Sequence, residues 1–233
     1  MISEGAKSNV SSWKSIYEEG TFGNKYPSSY LVSLIFRLIK DKLPMDNQTV
    51  RVLDFGCSFG ANAKMLRDLG FEVYGIDISD IAVKHCIEEC GFDKNHFKAI
   101  NLLEVDDVKT IFGIEFDLII ASECLYYFSQ RDLNRLFDKF NQMMTDKAVI
   151  YGNMQTFNYG FYKGCKEKGP NEDGMYRIET SGAADKPLYV NLVEGKDDTR
   201  KIFECFDVLY VLRHLEEVDD EYETIHCIAR KRK

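Results

Sequence analysis

The amino-acid sequence predicts a doubly wound α/β fold, a mostly parallel sheet with helices on both faces, an antiparallel C-terminal hairpin and an inserted cap. Three observations predict it. From residue 50 to 153 short apolar runs alternate with amphipathic stretches, two of which stop at Gly70 and Gly91. Parallel neighbours need crossovers of that length, and helices fill them. Further on, "FDVLYVLRHL" and "YETIHCIARK" are two β-rich runs joined by the acidic turn "EEVDDE", which is a hairpin pattern. Between these two regions, residues 154–198 keep neither period.

Taken in order, a serine of "SSWKSIYEEG" caps a short helix that sets Trp13, Ile16 and Tyr17 on one side and ends at Gly20. "TFGNKYP" is a loop. Pro27 then suits the first turn of a second helix, whose Leu31, Leu34, Ile35, Leu38 and Ile39 recur at i, i+3, i+4, i+7 and i+8 before Pro44 stops it. Residues 1–49 thus make a helical extension or lid, and 50–233 an α/β domain. In that domain "VRVLDFG", "FEVYGID", "HFKAIN", "FDLIIAS" and "KAVIYGN" are strands. Helices over 61–69, 80–90 and 130–144, and a short acidic segment, separate them. Residues 154–198 carry Tyr159, Phe161, Tyr162 and Tyr176, with turn signals in "KGPNEDG" and "SGAADKP". Excursions of this length usually act as lids or linkers. A helix near 197–205 leads into the closing hairpin.

Composition removes several function classes. The 13% aromatic content argues against disorder. A net charge of −8, with acids spread along the chain, leaves no basic face for phosphates, so nucleic acid is not expected as a partner. The run Arg230-Lys231-Arg232-Lys233 is read as a solvated tail. The seven cysteines contain no C-x-x-C pair, which indicates reduced thiols. His85, Cys86 and Cys90 sit at helical spacing without a second cluster, so packing is expected there and no metal site. "MISEGAKSNV" has no apolar core of a leader, and no run reaches the roughly 18 apolar residues of a span, so a cytoplasmic protein without a membrane partner is expected.

"RVLDFGCSFGANA", residues 51–63, has three readings. Asp54-Phe55-Gly56 spells a kinase magnesium tripeptide, but no upstream glycine loop, strand lysine or H-R-D loop accompanies it. Gly56-Cys57-Ser58-Phe59-Gly60 spells the hydrolase elbow G-x-S-x-G, with His214 available downstream, yet the 49 residues before Val50 hold no HGGG-type oxyanion motif. The third reading is a ligand loop. The chain turns at a strand's carboxyl end, Gly56 and Gly60 keep Cβ atoms away from a ligand, and a helix starting near Ala61 aims free N–H groups at it. Asp77 ends the next strand 21 residues after Gly56, placed to accept from two ribose hydroxyls. Asp54 before the turn would repel the pyrophosphate of a dinucleotide and suits an ammonium group, which disfavours an NAD-dependent oxidoreductase.

"VLDFGCSFG", "VYGIDIS", "INLLEV" and "FDLIIASECLYYF", in this order and spacing, resemble the four successive motifs of the class I S-adenosylmethionine-dependent methyltransferases. The resemblance covers about residues 50–153, and 206–230 match the family's closing hairpin. It implies a seven-stranded Rossmann-like sheet and S-adenosylmethionine as cofactor. Asp54, Gly56, Cys57 and Gly60 would surround the methionine part, Asp77 and Ile78 the ribose, and Asn101 and Leu102 the adenine. Ser122, Glu123 and Tyr126 would line the floor below the sulfonium. Many relatives carry an acid where this chain has Asn101, whose amide can still accept from the exocyclic amine.

The acceptor side has candidates at the remaining strand ends: Glu123, Tyr126 and Tyr127; Asn153 and Gln155; Arg213 and His214. His214 is the natural proton acceptor for a hydroxyl nucleophile, with Tyr126 and Glu123 as further catalytic candidates. Tyr17, Phe22 or Tyr26 would close the cofactor site. That front loop resembles those of bacterial methyltransferases acting on small metabolites and surface-glycan precursors. Lys163, Arg177 and Lys186 would then give a wall for a phosphorylated or nucleotide-linked acceptor. "SECL" stands where nucleic-acid and protein amine methylators carry N-P-P-Y. The expected partner is a small-molecule acceptor, with a silent cofactor-binding module as the alternative and the oligomeric state left open.

Overall fold

A computed structural model describes residues 2–20, 25–43, 49–158, 162, 164–178, 187–217 and 221–232. Pro44, Phe22, Tyr159, Phe161, Lys163, Lys186 and most of "SGAADKP" lie outside the described residues, as does the centre of "EEVDDE".

Helix α1 spans Glu4–Glu18 and α2 Ser29–Leu34, the latter passing into a π-helical turn at Ile35–Ile39. The strands and helices that follow are β1 Arg51–Phe55, α3 Ala61–Asp68, β2 Glu72–Asp77, α4 Asp80–Glu88, β3 Phe97–Ala99, α5 Lys109–Phe112, β4 Phe116–Ala121, α6 Gln130–Met143 and β5 Met144–Gln155. After them come α7 Cys165–Lys168, β6 Tyr176–Ile178, β7 Leu188–Val190, α8 Lys196–Ile202, β8 Asp207–Glu217 and β9 Glu221–Arg230.

Seven strands form one sheet in the order β3-β2-β1-β4-β5-β9-β8, while β6 and β7 pair separately. The pairs from β3 across to β5 are parallel, and β9 runs antiparallel to both β5 and β8. The doubly wound sheet and C-terminal hairpin expected from the sequence are therefore present. Strand order reverses between β1 and β4, so loops leave in opposite directions there and open a crevice at the carboxyl ends.

The alternating side chains of β1 divide the core. Val52 packs with Leu31, Leu34 and Ile35 of the N-terminal helices and with Ala63, Leu66 and Val83 of α3 and α4. Leu53 faces the other layer, where Leu133, Leu136, Phe137 and Phe140 of α6 meet Ile202 and Phe203. Both faces of the sheet are covered, as its continuous apolar runs require.

Several local boundaries differ from the sequence expectation. Helix α1 begins at Glu4 because the Ser3 hydroxyl accepts from the Ala6 N–H at 3.2 Å, so the cap lies upstream of "SSWKSIYEEG". The polar stretch in between masks the earlier start. Pro27 precedes the cap of α2 instead of occupying its first turn, and Ser28 accepts from the Leu31 N–H at 3.3 Å. Helix α6 runs straight into β5 without a loop.

The insertion meets the N-terminal helix. Asn9 Nδ2 donates to the carbonyls of Tyr127 (2.8 Å) and Tyr189 (2.7 Å), and its Oδ1 accepts from the Tyr189 N–H (2.7 Å). Ser12 donates to the Pro187 carbonyl at 3.1 Å. Helix α1 and β7 thus form one wall across the crevice.

Gly75 at the centre of β2 tests this packing. A Cβ there would run into the buried Phe97 ring and approach Cys57 Sγ at 3.0 Å. Gly75→Ala is expected to cost about 1–3 kcal/mol of stability, read as a lower urea midpoint; an unchanged midpoint would show that β3 yields freely.

Candidate active site

At the carboxyl end of β1 the chain bends through three residues of positive φ: Gly56 (+74°), Ser58 (+48°) and Gly60 (+78°). The Gly56 and Cys57 N–H groups donate to the Ile76 carbonyl at 2.8 and 3.1 Å, which seats the bend on the end of β2. Gly56 lies on the wall of a cavity of about 880 Å³. A Cβ on it would come within 3.1 Å of Cys124 Cβ. Gly60 corrects the sequence expectation. It sits behind the loop, where a Cβ would meet Cys86 Sγ at 3.0 Å and the Phe92 ring, so its openness serves packing on α4 and not clearance for a ligand.

Asp77 is 6% exposed and faces the cavity. Its Oδ2 accepts from the Ser58 N–H at 2.9 Å and its Oδ1 from the Ser79 N–H at 3.0 Å. The carboxylate is thus presented to the cavity, the placement a diol needs. Burial pushes the Asp77 carboxyl up, and the backbone N–H groups oppose that rise. Capping of α4 falls to Ser79, which accepts from the Ala82 N–H.

Asp54 also departs from expectation. It is 1% exposed, stands behind the loop and off the cavity wall, and only the Ala63 N–H approaches its carboxylate. On β1 its side chain points the same way as that of Val52, toward α3, because residues two apart share a face. Burial first, then the charge of Asp77, push its carboxyl up to about 7.

The expected adenine residues line the same cavity with Ile78. Asn101, however, turns its Oδ1 to the Leu103 N–H at 3.2 Å and caps a short turn over Leu102–Glu104. One lone pair of that oxygen is engaged, and the second is left for an exocyclic amine. Tyr17 and Trp13 project from α1. The Tyr17 ring lies edge-on to Phe59 and Trp13 edge-on to Tyr127. Burial and Asp77 both raise the Tyr17 phenol. Tyr26 stands on the rim, 74% exposed.

Beyond Ser122 the cavity continues toward β5 and β9. Glu123 adopts φ +56°, a conformation that costs most side chains energy. Asn153 holds it there: its Oδ1 accepts from the Glu123 N–H at 2.7 Å and its Nδ2 donates to Oε1 at 2.6 Å. The other carboxylate oxygen accepts from Gln155 Nε2 (2.9 Å), the Tyr126 hydroxyl (3.2 Å) and the Tyr222 hydroxyl (3.4 Å). Burial raises the Glu123 carboxyl, and these donors temper the rise.

His214 lines this half, stacked 4.3 Å from the Tyr30 ring, with Nε2 3.4 Å from Glu216 Oε1. His226, Tyr30, Tyr222 and Thr224 complete the wall and were missed. The period-two alternation of "YETIHCIARK" puts Tyr222, Thr224 and His226 on one face, a countable signal. His226 is held neutral: Nδ1 meets the Tyr151 hydroxyl and Nε2 the Thr224 hydroxyl, both at 2.8 Å, and burial drops its pKa to about 3. Three expected acceptor residues stand elsewhere: Asn153 lies off the cavity wall, where it holds Glu123. Arg213 pairs with Glu223, and Arg177 is exposed and off the cavity wall. Among the described residues no three metal-ligating side chains cluster, and no helix is long and apolar enough to cross a membrane.

A family model described as a methyltransferase domain matches residues 28–161, more than half of the chain. The chain belongs to this methyltransferase domain family. The chain is 33% identical over 75 residues to three uncharacterised methyltransferases of Schizosaccharomyces pombe, covering 32% of this chain and 50% of each. The chain therefore spans about half the length of the curated relatives it matches. A SAM-dependent methyltransferase of Methanosarcina mazei superposes with a TM-score of 0.67 at 16% identity, covering 84% of this chain and 97% of that one. The magnesium protoporphyrin IX methyltransferase of Synechocystis, with SAH bound, gives 0.58 at 16% identity, covering 95% and 93%. These likenesses show the fold of the methyltransferase domain. Its residues fit S-adenosylmethionine: Asp77 presents its carboxylate to the cavity, Gly56 lets the bend lie close against Cys124 on the cavity wall, and Ile78 and Leu102 add apolar lining.

Asp54 yields a test. A carboxyl whose folded pKa exceeds its unfolded value favours folding below the unfolded value and loses that contribution as pH rises through the folded one. Here the window runs from 3.8 to about 7. At about pH 8, Asp54→Asn is expected to raise the thermal midpoint by about 5 °C, with the gain gone near pH 4. Differential scanning calorimetry across that range checks it; an equal midpoint at both ends would mean the carboxylate is not penalised.

Proposed function

We propose that this chain transfers a methyl group from S-adenosylmethionine to a small molecule. The carrying observation is the continuity of one cavity from Asp77 and Gly56 to Glu123 and His214. A silent binding module has no use for the second half. When bound, S-adenosylmethionine supplies a methyl group already activated by its positive sulfur. Asp77 holds the ribose, Ile78, Asn101 and Leu102 border the base, and Trp13 and Tyr17 cover the site against water. The chain's remaining work is alignment of the acceptor with that methyl group.

Two groups on the acceptor side can take a proton, His214 and Glu123. A net charge of −8 and a cavity wall without lysine or arginine among the described residues speak against nucleic acid. They also give no support to the phosphorylated or nucleotide-linked acceptor expected from Arg177.

Calorimetric titration with S-adenosylhomocysteine tests the donor half. Asp77→Ala is expected to weaken binding at least about tenfold, since hydrogen bonds to a charged partner are each worth about 1.5–3 kcal/mol. Asp77→Asn, which keeps one acceptor oxygen, should fall between. Equal affinity in all three would remove the ribose assignment, and donor binding without label transfer to pooled metabolites would favour the silent module.

A further inference from the structure

We infer that the methyl acceptor is an amine on a largely apolar body, its N–H groups donated to the Glu123 carboxylate and to Gln155 Oε1. The inference rests on the methyl-transfer reading and names its acceptor class. Gln155 is 2% exposed and lines the cavity. Its Nε2 donates to Glu123 Oε2 at 2.9 Å and to the Tyr222 hydroxyl at 3.3 Å. That fixes the amide's orientation, because the reverse would set oxygen against carboxylate. Its Oε1 is left as a buried acceptor without a partner. Such atoms are costly, and a ligand N–H relieves the cost.

Glu123 supplies the second acceptor. All its donors are neutral, and among the described residues no lysine or arginine stands on the cavity wall. A wall of this charge attracts cations and amines and repels phosphate esters. Hydrogen count decides between amine and alcohol. A neutral primary amine has two N–H groups, one for each acceptor, and a lone pair left for the methyl group. An alcohol has a single hydrogen and strands one acceptor. Tyr126, Tyr162, Ile178 and Leu188 give the body an aromatic and aliphatic lining. These groups sit apart from the donor cradle, since Glu123 is held by β5 and β9 while Asp77 ends β2.

In the step so assigned, the nitrogen lone pair forms the N–CH₃ bond as the methyl–sulfur bond breaks, and that bonding pair stays on sulfur. The proton of the resulting methylammonium passes to Glu123, then to water. Burial, which raises the Glu123 carboxyl, suits it to accept that proton.

The test uses the full chain and three probes sharing one body: 2-phenylethylamine, 2-phenylethanol and 2-phenylethyl phosphate. Each is titrated with S-adenosylhomocysteine present, after binding of that compound alone has been measured. The amine is expected to bind at least about tenfold tighter than either analogue, the worth of one hydrogen bond to a charged group. Glu123→Gln and the near-isosteric Gln155→Met should each remove that preference, and Gln155→Met should leave S-adenosylhomocysteine affinity within about twofold. No preference for the amine, absence of binding by all three included, overturns the inference, as does a preference that survives Gln155→Met. Failure to bind S-adenosylhomocysteine at all is a different result: it removes the methyl-transfer reading and this inference with it.

Discussion

Three carboxylates, the buried Asp54 and Asp77 and the partly buried Glu123, stand along the carboxyl edge of the sheet with only neutral groups bonded to them. Asp54 meets only the Ala63 N–H, Asp77 takes backbone N–H groups of Ser58 and Ser79 beside that of Ile78, and Glu123 is held by amides and phenols. Burying charge without a counter-charge is unfavourable, and each carboxyl is pushed upward accordingly. Of the three, Asp77 and Glu123 line the crevice, and a crevice of that sign is completed by positive ligands. A sulfonium donor carrying an ammonium group meets that condition in one half, and an amine meets it in the other.

The topology decides where these charges fall. Because strand order reverses between β1 and β4, the loop after β1 and the turn after β4 diverge and leave the crevice between them. Asp77 reaches it from β2 and Glu123 from the end of β4. Glu123 enters that space from a left-handed backbone, its φ being +56°. Asn153 offsets the strain by binding both the backbone N–H and the carboxylate of the same residue. Removing the amide would release the backbone N–H and one carboxylate oxygen together, while Gln155, Tyr126 and Tyr222 still hold the other oxygen.

What could be read from the sequence was local in the chain. The strand–turn–helix spacing around Gly56 and the acid at Asp77 depend on contacts within some twenty residues, and they stand where expected. The sheet class follows from hydrophobic period in the same way. Asp54 and Gly60 belong to the same motif, yet spacing does not say which side of a loop faces the ligand, and both face inward. Arg177 failed for a related reason: an irregular insertion has no period from which to infer a face. His226 and Tyr222 were visible as a period-two face of the last strand. They become site residues only because β9 inserts beside β5, a pairing between segments about seventy residues apart.

Enclosure of the cavity follows from the way α1 is attached. Asn9 spends both amide ends on backbone groups from two different segments, Tyr127 after β4 and Tyr189 in β7, while the Ser3 N–H donates to buried Asp132 at 2.9 Å. Lifting α1 would expose or strand several of these groups at once, which is far costlier than moving a loop. Trp13 and Tyr17 therefore form a standing wall, and a donor meets a shaped pocket instead of having to order one. The rim opposite is of another kind: Tyr26 is largely exposed and is bounded by the residues leading into α2.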